Sequence, residues 1–168
     1  MVLVGLVVLG LGALYVAQPA SYRIARSRTI AAPPALVMAQ LADLHAFAAW
    51  DPWPAEPGTV PSVTFSTLRT GVGAWIDRRD AHGGSRTTIT ALTSDHIEMS
   101  NATAGSLGGA ESMQSFELRA TAGGTEVTWA LSADLHGLGR LLWPFVHLEQ
   151  HVAPDMDAAL SRLDRASH

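Results

Sequence analysis

The chain has 168 residues, a net charge of −4 and charged side chains at only 15% of positions. That length suits one domain of ordinary size, and the negative charge excludes a general affinity for nucleic acid. The lack of cysteine excludes disulfides, thiolate catalysis and cysteine-based zinc sites.

The chain begins with an apolar segment. Residues 1–17 contain no charged side chain, and this length is at the short end of the range for a membrane-spanning helix. Arg23, Arg26 and Arg28 follow the segment, and no basic residue precedes it. We therefore predict that residues 1–20 form an uncleaved single-pass membrane anchor, with the following domain in the cytoplasm. Export with a cleaved signal peptide is the alternative, although a basic start and a small-x-small cleavage site are missing.

Residues 21–168 are predicted to form the folded domain. A strand-like pattern begins at Ser21, and Pro33 and Pro34 then open a first helix, because proline suits the first turn. A second short helix reaches Trp50. Strand-like stretches separated by turn residues then follow at regular spacing, which is typical of an antiparallel meander. These stretches span residues 60–68, 74–79, 86–92, 96–103, 111–118 and 125–131.

The last part of the chain returns to a helical pattern. Apolar residues recur every three or four positions in residues 139–165, and Pro154 predicts a kink or break near Ala153. Residues 104–110, rich in glycine, are predicted to form a loop. The element order predicts an α+β fold. It consists of a curved antiparallel sheet of about seven strands around a long C-terminal helix, with two short helices after the first strand.

Five short segments carry a family resemblance. They are residues 26–34 (RSRTIAAPP), 50–53 (WDPW), 71–74 (GVGA), 124–129 (GTEVTW) and 155–163 (DMDAALSRL). In this order they resemble motifs of the polyketide cyclase/dehydrase and lipid transport superfamily, the START-like (SRPBCC) helix-grip proteins. The resemblance implies a cavity between the sheet and the last helix that takes a hydrophobic small molecule. Because fold alone does not fix function, it leaves open whether that molecule is only bound or also converted.

Strand alternation assigns side chains to the inward face of the sheet. We predict that a mostly apolar cavity is lined from these strands, from the two tryptophans of the WDPW segment over its mouth, and from the last helix. A filled hydrophobic core is the alternative. The predicted ligand-binding residues are Trp50, Trp53, Phe65, Ile76, Arg78, Ile89, Met99, Asn101, Gln114, Phe116, Trp129, Phe145 and Glu149. Val63 and Ala91 are also predicted to face inward.

The last helix carries the acid/base candidate. Helical spacing places Glu149 beside the apolar stripe, where desolvation would suit proton transfer, so we predict it as the catalytic residue if a reaction occurs. His147 and His151 are four residues apart, but they fall opposite the stripe and should face solvent, so no metal site is predicted.

These observations favour a membrane-tethered protein that binds a lipid-like or polycyclic molecule and needs no cofactor. The alternative is a cyclase or dehydratase of polyketide-like substrates, in which Arg78, Asn101 or Glu149 would polarise a carbonyl or move a proton. A structural module with a closed cavity is the third hypothesis.

Overall fold

Seven antiparallel strands form one sheet in the part of the chain that the structure describes. The structure is a computed structural model, and it describes residues 15–51, 62–79, 83–105, 108–142 and 147–168. The strands are β1 (Ser21–Ile30), β2 (Ser62–Phe65), β3 (Trp75–Arg79), β4 (Gly83–Leu92), β5 (His96–Gly105), β6 (Gly108–Thr121) and β7 (Gly124–Asp134). Their order across the sheet is β1-β7-β6-β5-β4-β3-β2. The chain therefore forms a meander from β2 to β7, and β1 joins its far edge.

The two short helices predicted after β1 are present, whereas the single helix predicted over residues 139–165 corresponds to two helices. Two short helices, α1 (Pro34–Ala42) and α2 (Leu44–Trp50), come directly after β1. After β7 come α3 (Gly137–Leu142) and the long α4 (Leu148–Ala166). The predicted α+β class, with a C-terminal helix on an antiparallel sheet, is confirmed. The break expected near Ala153 is wrong, because α4 is helical through Pro154.

The last helix is held against the first strand by both packing and charge. Met156, Ala159 and Leu163 are fully buried on the face of α4 that meets the sheet. Alongside them, Arg26 of β1 pairs with Asp157 at 3.7 Å, and Arg28 pairs with Asp164 at 3.6 Å. Because these side chains are partly exposed, the pairs fix the direction of the helix more than they stabilise it.

Two details of the strands differ from the prediction. Residues 104–110 were expected to form a loop, but β5 and β6 stay paired from Thr103↔Ala110 to Gly105↔Gly108. Ala91 was expected to face inward, but the pairing of β4 with β5 shifts between Ile89 and Ala91, so that Ala91 pairs with Glu98. A β-bulge at this point turns Ala91 to the outer face, which simple alternation cannot anticipate.

Gly124 lies where the turn between β6 and β7 passes close to the end of β1. Its φ is +125°, and a Cβ atom there would approach the Ile30 carbonyl oxygen to 2.1 Å. Next to it, the Thr125 hydroxyl donates to the buried Ala32 carbonyl at 2.7 Å. Only glycine fits this corner without moving backbone.

We expect Gly124→Ala to lower the free energy of unfolding by about 2–3 kcal/mol, because it adds a backbone clash to a strained φ. Urea denaturation of the full chain followed by circular dichroism measures this. Gly123→Ala is the matched control, since its Cβ would meet only the Thr29 methyl at 3.8 Å. Equal losses in the two variants would contradict this account of the corner.

A buried carboxylate also stabilises the outer face of the sheet. Asp77 of β3 is 7% exposed. Its carboxylate accepts from Arg79 Nε at 3.2 Å and from Arg86 Nη2 at 2.8 Å. The Arg86 guanidinium also lies 4.4 Å from the Trp75 ring centroid. The hydrogen bond from Arg79, followed by that from Arg86, holds the pKa of Asp77 below its usual range.

The lowered pKa of Asp77 predicts a pH dependence. Its contribution to the free energy of unfolding is full above the unfolded pKa of about 3.9 and is lost as the pH falls toward the folded pKa. Asp77→Asn should therefore cost about 1 kcal/mol near neutral pH, because both arginine partners are largely exposed, and this cost should decrease as the pH falls below the unfolded pKa. Thermal melts across pH measure the difference. Glu111→Gln, at an exposed position of β6, is the control. A pH-independent loss would contradict the prediction.

Candidate functional site

Three predicted ligand-binding aromatic residues form the centre of the core. Trp50, Phe116 and Trp129 are at most 1% exposed. Phe116 stacks on Trp129 with ring centroids 5.1 Å apart, and Trp50 meets both rings edge-on, at 6.0 and 6.4 Å. The expectation that Trp50 covers the mouth of a cavity is wrong, because its ring is buried against the middle of the sheet.

Other predicted ligand-binding residues have varied surroundings. Ile76, Ile89 and Met99 are at most 1% exposed and belong to the same core. Phe65 is half-buried and stacks on His45 with ring centroids 3.8 Å apart. Val63, also expected inside, is 41% exposed. Trp53 and Phe145 lie outside the described residues.

Polar side chains follow the aromatic core along the inward face of β4, β5 and β6. We call this patch the polar floor, and it consists of Ser85, Thr87, Asn101, Ser112 and Gln114. Cross-strand pairing places Thr87 beside Asn101 and Asn101 beside Ser112. The floor is most buried next to the core, where Gln114 is 2% and Thr87 4% exposed, while Asn101 and Ser112 are half-buried.

Gln114 is the residue of the floor whose hydrogen bonding is incomplete. The Thr87 hydroxyl donates to Asn101 Oδ1 at 2.7 Å, and Gln114 Nε2 lies 3.5 Å from both Asn101 Oδ1 and Met99 Sδ. Gln114 Oε1 is buried and accepts no hydrogen bond. A buried acceptor without a donor costs about 1–3 kcal/mol, so the floor presents an unused acceptor at the border of the apolar core.

Arg78, predicted to bind ligand or polarise a carbonyl, is part of an ion pair. Its guanidinium pairs with the Asp51 carboxylate, and the side chains are 17% and 6% exposed. On the other side of this junction, Arg162 of α4 donates to the Trp50 carbonyl at 3.0 Å and to the Asp51 carbonyl at 3.2 Å. Arg78 and Arg162 together fix the end of α2 between β3 and α4.

Glu149, the predicted catalytic residue, lies at an open groove. The groove has a volume of about 620 Å³ and runs between the first half of β1 and the first turns of α4. Its walls combine apolar Ile24 and Leu148 with the polar side chains of Arg23 and Glu149. Glu149 is exposed, so it lacks the desolvation on which its acid/base role was argued.

The three residues considered for catalysis therefore have different surroundings. Asn101 contacts Thr87 and Gln114, Arg78 pairs with Asp51, and Glu149 lines the groove beside β1. His147 and His151 are exposed, as expected from helical spacing. Within the described ranges, no group of three or more His, Asp or Glu side chains could hold a metal ion.

Five residues that matter here were not predicted. Ser85, Thr87 and Ser112 belong to the polar floor, and Asp51 and Arg162 build the junction at Trp50. Extending the alternation of β4 and β6 by two residues would have found Thr87 and Ser112. No local pattern links Arg162 to Asp51, because their contact joins elements that are distant in the chain.

The family comparison agrees with this architecture. The model of the family described as polyketide cyclase / dehydrase and lipid transport matches residues 21–168. The chain belongs to this polyketide cyclase/dehydrase and lipid transport family. Among curated proteins, none matches the sequence.

Solved structures show the same fold at low sequence identity. A protein of unknown function from Staphylococcus aureus is 11% identical, with a TM-score of 0.65 over 90% of this chain and 96% of that one. An uncharacterised Rhizobium leguminosarum protein is 13% identical, with a TM-score of 0.63 over 88% and 94%. DynU16, from the dynemicin biosynthetic locus, is 15% identical, with a TM-score of 0.57 over 88% of this chain but only 46% of its own.

The buried Gln114 Oε1, which accepts no hydrogen bond, predicts an effect on stability. Gln114→Met keeps the side-chain length and removes the buried oxygen, so we expect the free energy of unfolding of the ligand-free protein to rise by about 1 kcal/mol. Urea denaturation measures the change.

Thr87→Val is the matched control for Gln114→Met. It removes a hydroxyl that does have a partner, and we expect it to lower the free energy of unfolding by about 1 kcal/mol. A clear loss of stability in Gln114→Met would show that Gln114 is an ordinary, satisfied core residue.

Proposed function

We propose that this domain binds a hydrophobic small molecule, lipid-like or polycyclic, at the polar floor, with a ligand hydroxyl donating to Gln114 Oε1. The observation that carries the proposal is this buried acceptor without a donor, beside an aromatic core. Apolar surroundings with a few oriented polar groups are typical of small-molecule sites. Membership of a family that includes lipid transport supports the same class of ligand.

Binding is favoured over catalysis by the chemistry of the floor. Its side chains are amides and hydroxyls, which do not ionise near neutral pH and are therefore suited to recognise a ligand by hydrogen bonds rather than to act as general acids or bases. Nothing in the arrangement of Arg78 or Glu149 brings a titratable group to Gln114 among the described residues. A cyclase or dehydratase would need such a group at the reacting atoms.

The proposal includes a membrane tether on the cytoplasmic side, formed by residues 1–20. It is supported by the uncharged sequence of residues 1–17 and by the arginines that follow. Residues 1–14 lie outside the described part of the chain. Within the described ranges, no helix has the length and apolar character needed to cross a membrane.

A pair of fluorescent probes tests the site. 2-Anthracenol and 2-methoxyanthracene share one ring system, but only the first can donate a hydrogen bond. We expect the full chain in detergent to bind 2-anthracenol about tenfold more tightly, the value of one buried hydrogen bond, as measured by fluorescence titration. Gln114→Met should abolish this preference.

The matched control for binding is Ser115→Ala, which changes the neighbouring residue on the same strand but on the opposite face. It should leave both affinities and their ratio unchanged. If neither probe binds the parent protein, or if the preference survives in Gln114→Met, the proposed site is wrong. Native mass spectrometry of the protein extracted from its host would then identify any molecule that it carries.

A further inference from the structure

The apolar N-terminal segment joins the domain at a fixed place. The Leu135 amide donates to the Ala20 carbonyl at 2.7 Å. Arg140 of α3 donates to the Gln18 carbonyl through Nε at 3.1 Å and Nη2 at 2.6 Å. Its guanidinium also lies 4.7 Å from the Tyr15 ring centroid. These contacts hold residues 15–20 against α3 and the end of β7, so the segment does not leave the domain through a loose linker.

The polar floor opens at this same end of the sheet. Strand register places Gln114 level with Ile24, in the first half of β1, and Phe116 level with Arg26, further along it. The burial of side chains decreases along β6 toward this end of the sheet. On the inward face of β6, Phe116 is 0% and Gln114 2% exposed, Ser112 is half-buried and Ala110 is exposed. The inward face is thus closed away from the N-terminal segment and opens toward it.

Apolar side chains are exposed in the two segments that Arg140 joins. Val16 is 77% exposed, and Leu142, the last residue of α3, is 54% exposed. Val16 follows Tyr15 in the chain, and Leu142 lies two residues after Arg140. Residues 1–14, which precede Tyr15, contain only Met, Val, Leu, Gly and Ala. Such a composition is suited to lipid, so the surface that carries Val16 and Leu142 continues an apolar chain segment.

We infer that α3 and residues 15–18 rest on the surface of a lipid bilayer, so that the polar floor opens toward the membrane and its hydrophobic ligand enters from the lipid. This inference rests on the proposed function and adds the source and direction of entry of the ligand. The Arg140 contacts fix the orientation of the domain on the bilayer, because they join residues 15–18 to the end of the sheet at which the polar floor opens.

Site-specific fluorescence tests the orientation, and the lack of cysteine makes single labelling simple. Leu142→Cys and Val72→Cys, the latter 60% exposed in the turn before β3, are labelled with NBD in the full chain. The labelled proteins are reconstituted in phosphatidylcholine/phosphatidylglycerol vesicles that contain a nitroxide lipid. We expect loss of most of the NBD fluorescence at position 142 and little loss at position 72. Equal quenching at the two positions, or none at 142, would overturn the inference.

A charge variant tests the cause of the orientation. Arg140→Gln breaks the contacts with Gln18 and Tyr15, so quenching at position 142 should decrease while flotation with vesicles is unchanged. Arg165→Gln, in the exposed last turn of α4, is the matched control and should not alter quenching. Undiminished quenching in Arg140→Gln would refute the role given to Arg140.

The anthracenol titration separates the two proposals. Binding of 2-anthracenol without quenching at position 142 would leave the ligand site standing and reject entry from the membrane. Quenching at position 142 without binding of either probe would leave the orientation standing and reject the ligand site.

Discussion

The junction formed by Trp50 and Asp51 is the contact on which the arrangement of sheet and helices depends. The Trp50 ring enters the aromatic core, and its Nε1 lies 3.4 Å from the Gln40 carbonyl of α1. Arg162 of α4 binds both backbone carbonyls, and Arg78 of β3 binds the Asp51 carboxylate. Two consecutive residues thus connect both short helices, the long helix and a strand near the far edge of the sheet. Removing Arg162 would take its donors away from these two backbone carbonyls, and removing Arg78 would take away an ion pair of the Asp51 carboxylate.

The aromatic core limits how deeply any ligand can enter. With Phe116 and Trp129 packed on each other and Trp50 against both, the described middle of the grip is filled by side chains. A ligand of the inward face would therefore lie toward the end of the sheet where burial decreases beyond Gln114. A shallow site buries little apolar surface, which makes one directional hydrogen bond more important for affinity. It also suits a ligand whose apolar part stays in a bilayer.

The fold could be predicted from the sequence because the hydrophobic periodicity and the positions of turn residues agree over most of the chain. Alternation in β5, β6 and β7 assigned Met99, Phe116 and Trp129 correctly to the inward face. It failed at Ala91, where a bulge adds a residue to one strand, and at residues 104–110, where glycines pair within strands. The site was harder to predict. Alternation shows that Phe116 and Gln114 are inside, but not whether they meet solid packing or open space, since that depends on contacts between distant segments.

The position of β1 at the edge of an open sheet has a consequence for self-association. An edge strand of ten residues, Ser21–Ile30, could pair with a strand of another chain, and tethering to a membrane would concentrate copies beside one another. Arg23, Arg26 and Arg28 lie along this strand, and the side chains of Arg26 and Arg28 are 37% and 43% exposed. Bringing two such edges together would bring like charges close to one another, so these arginines would disfavour pairing between the sheets of neighbouring copies.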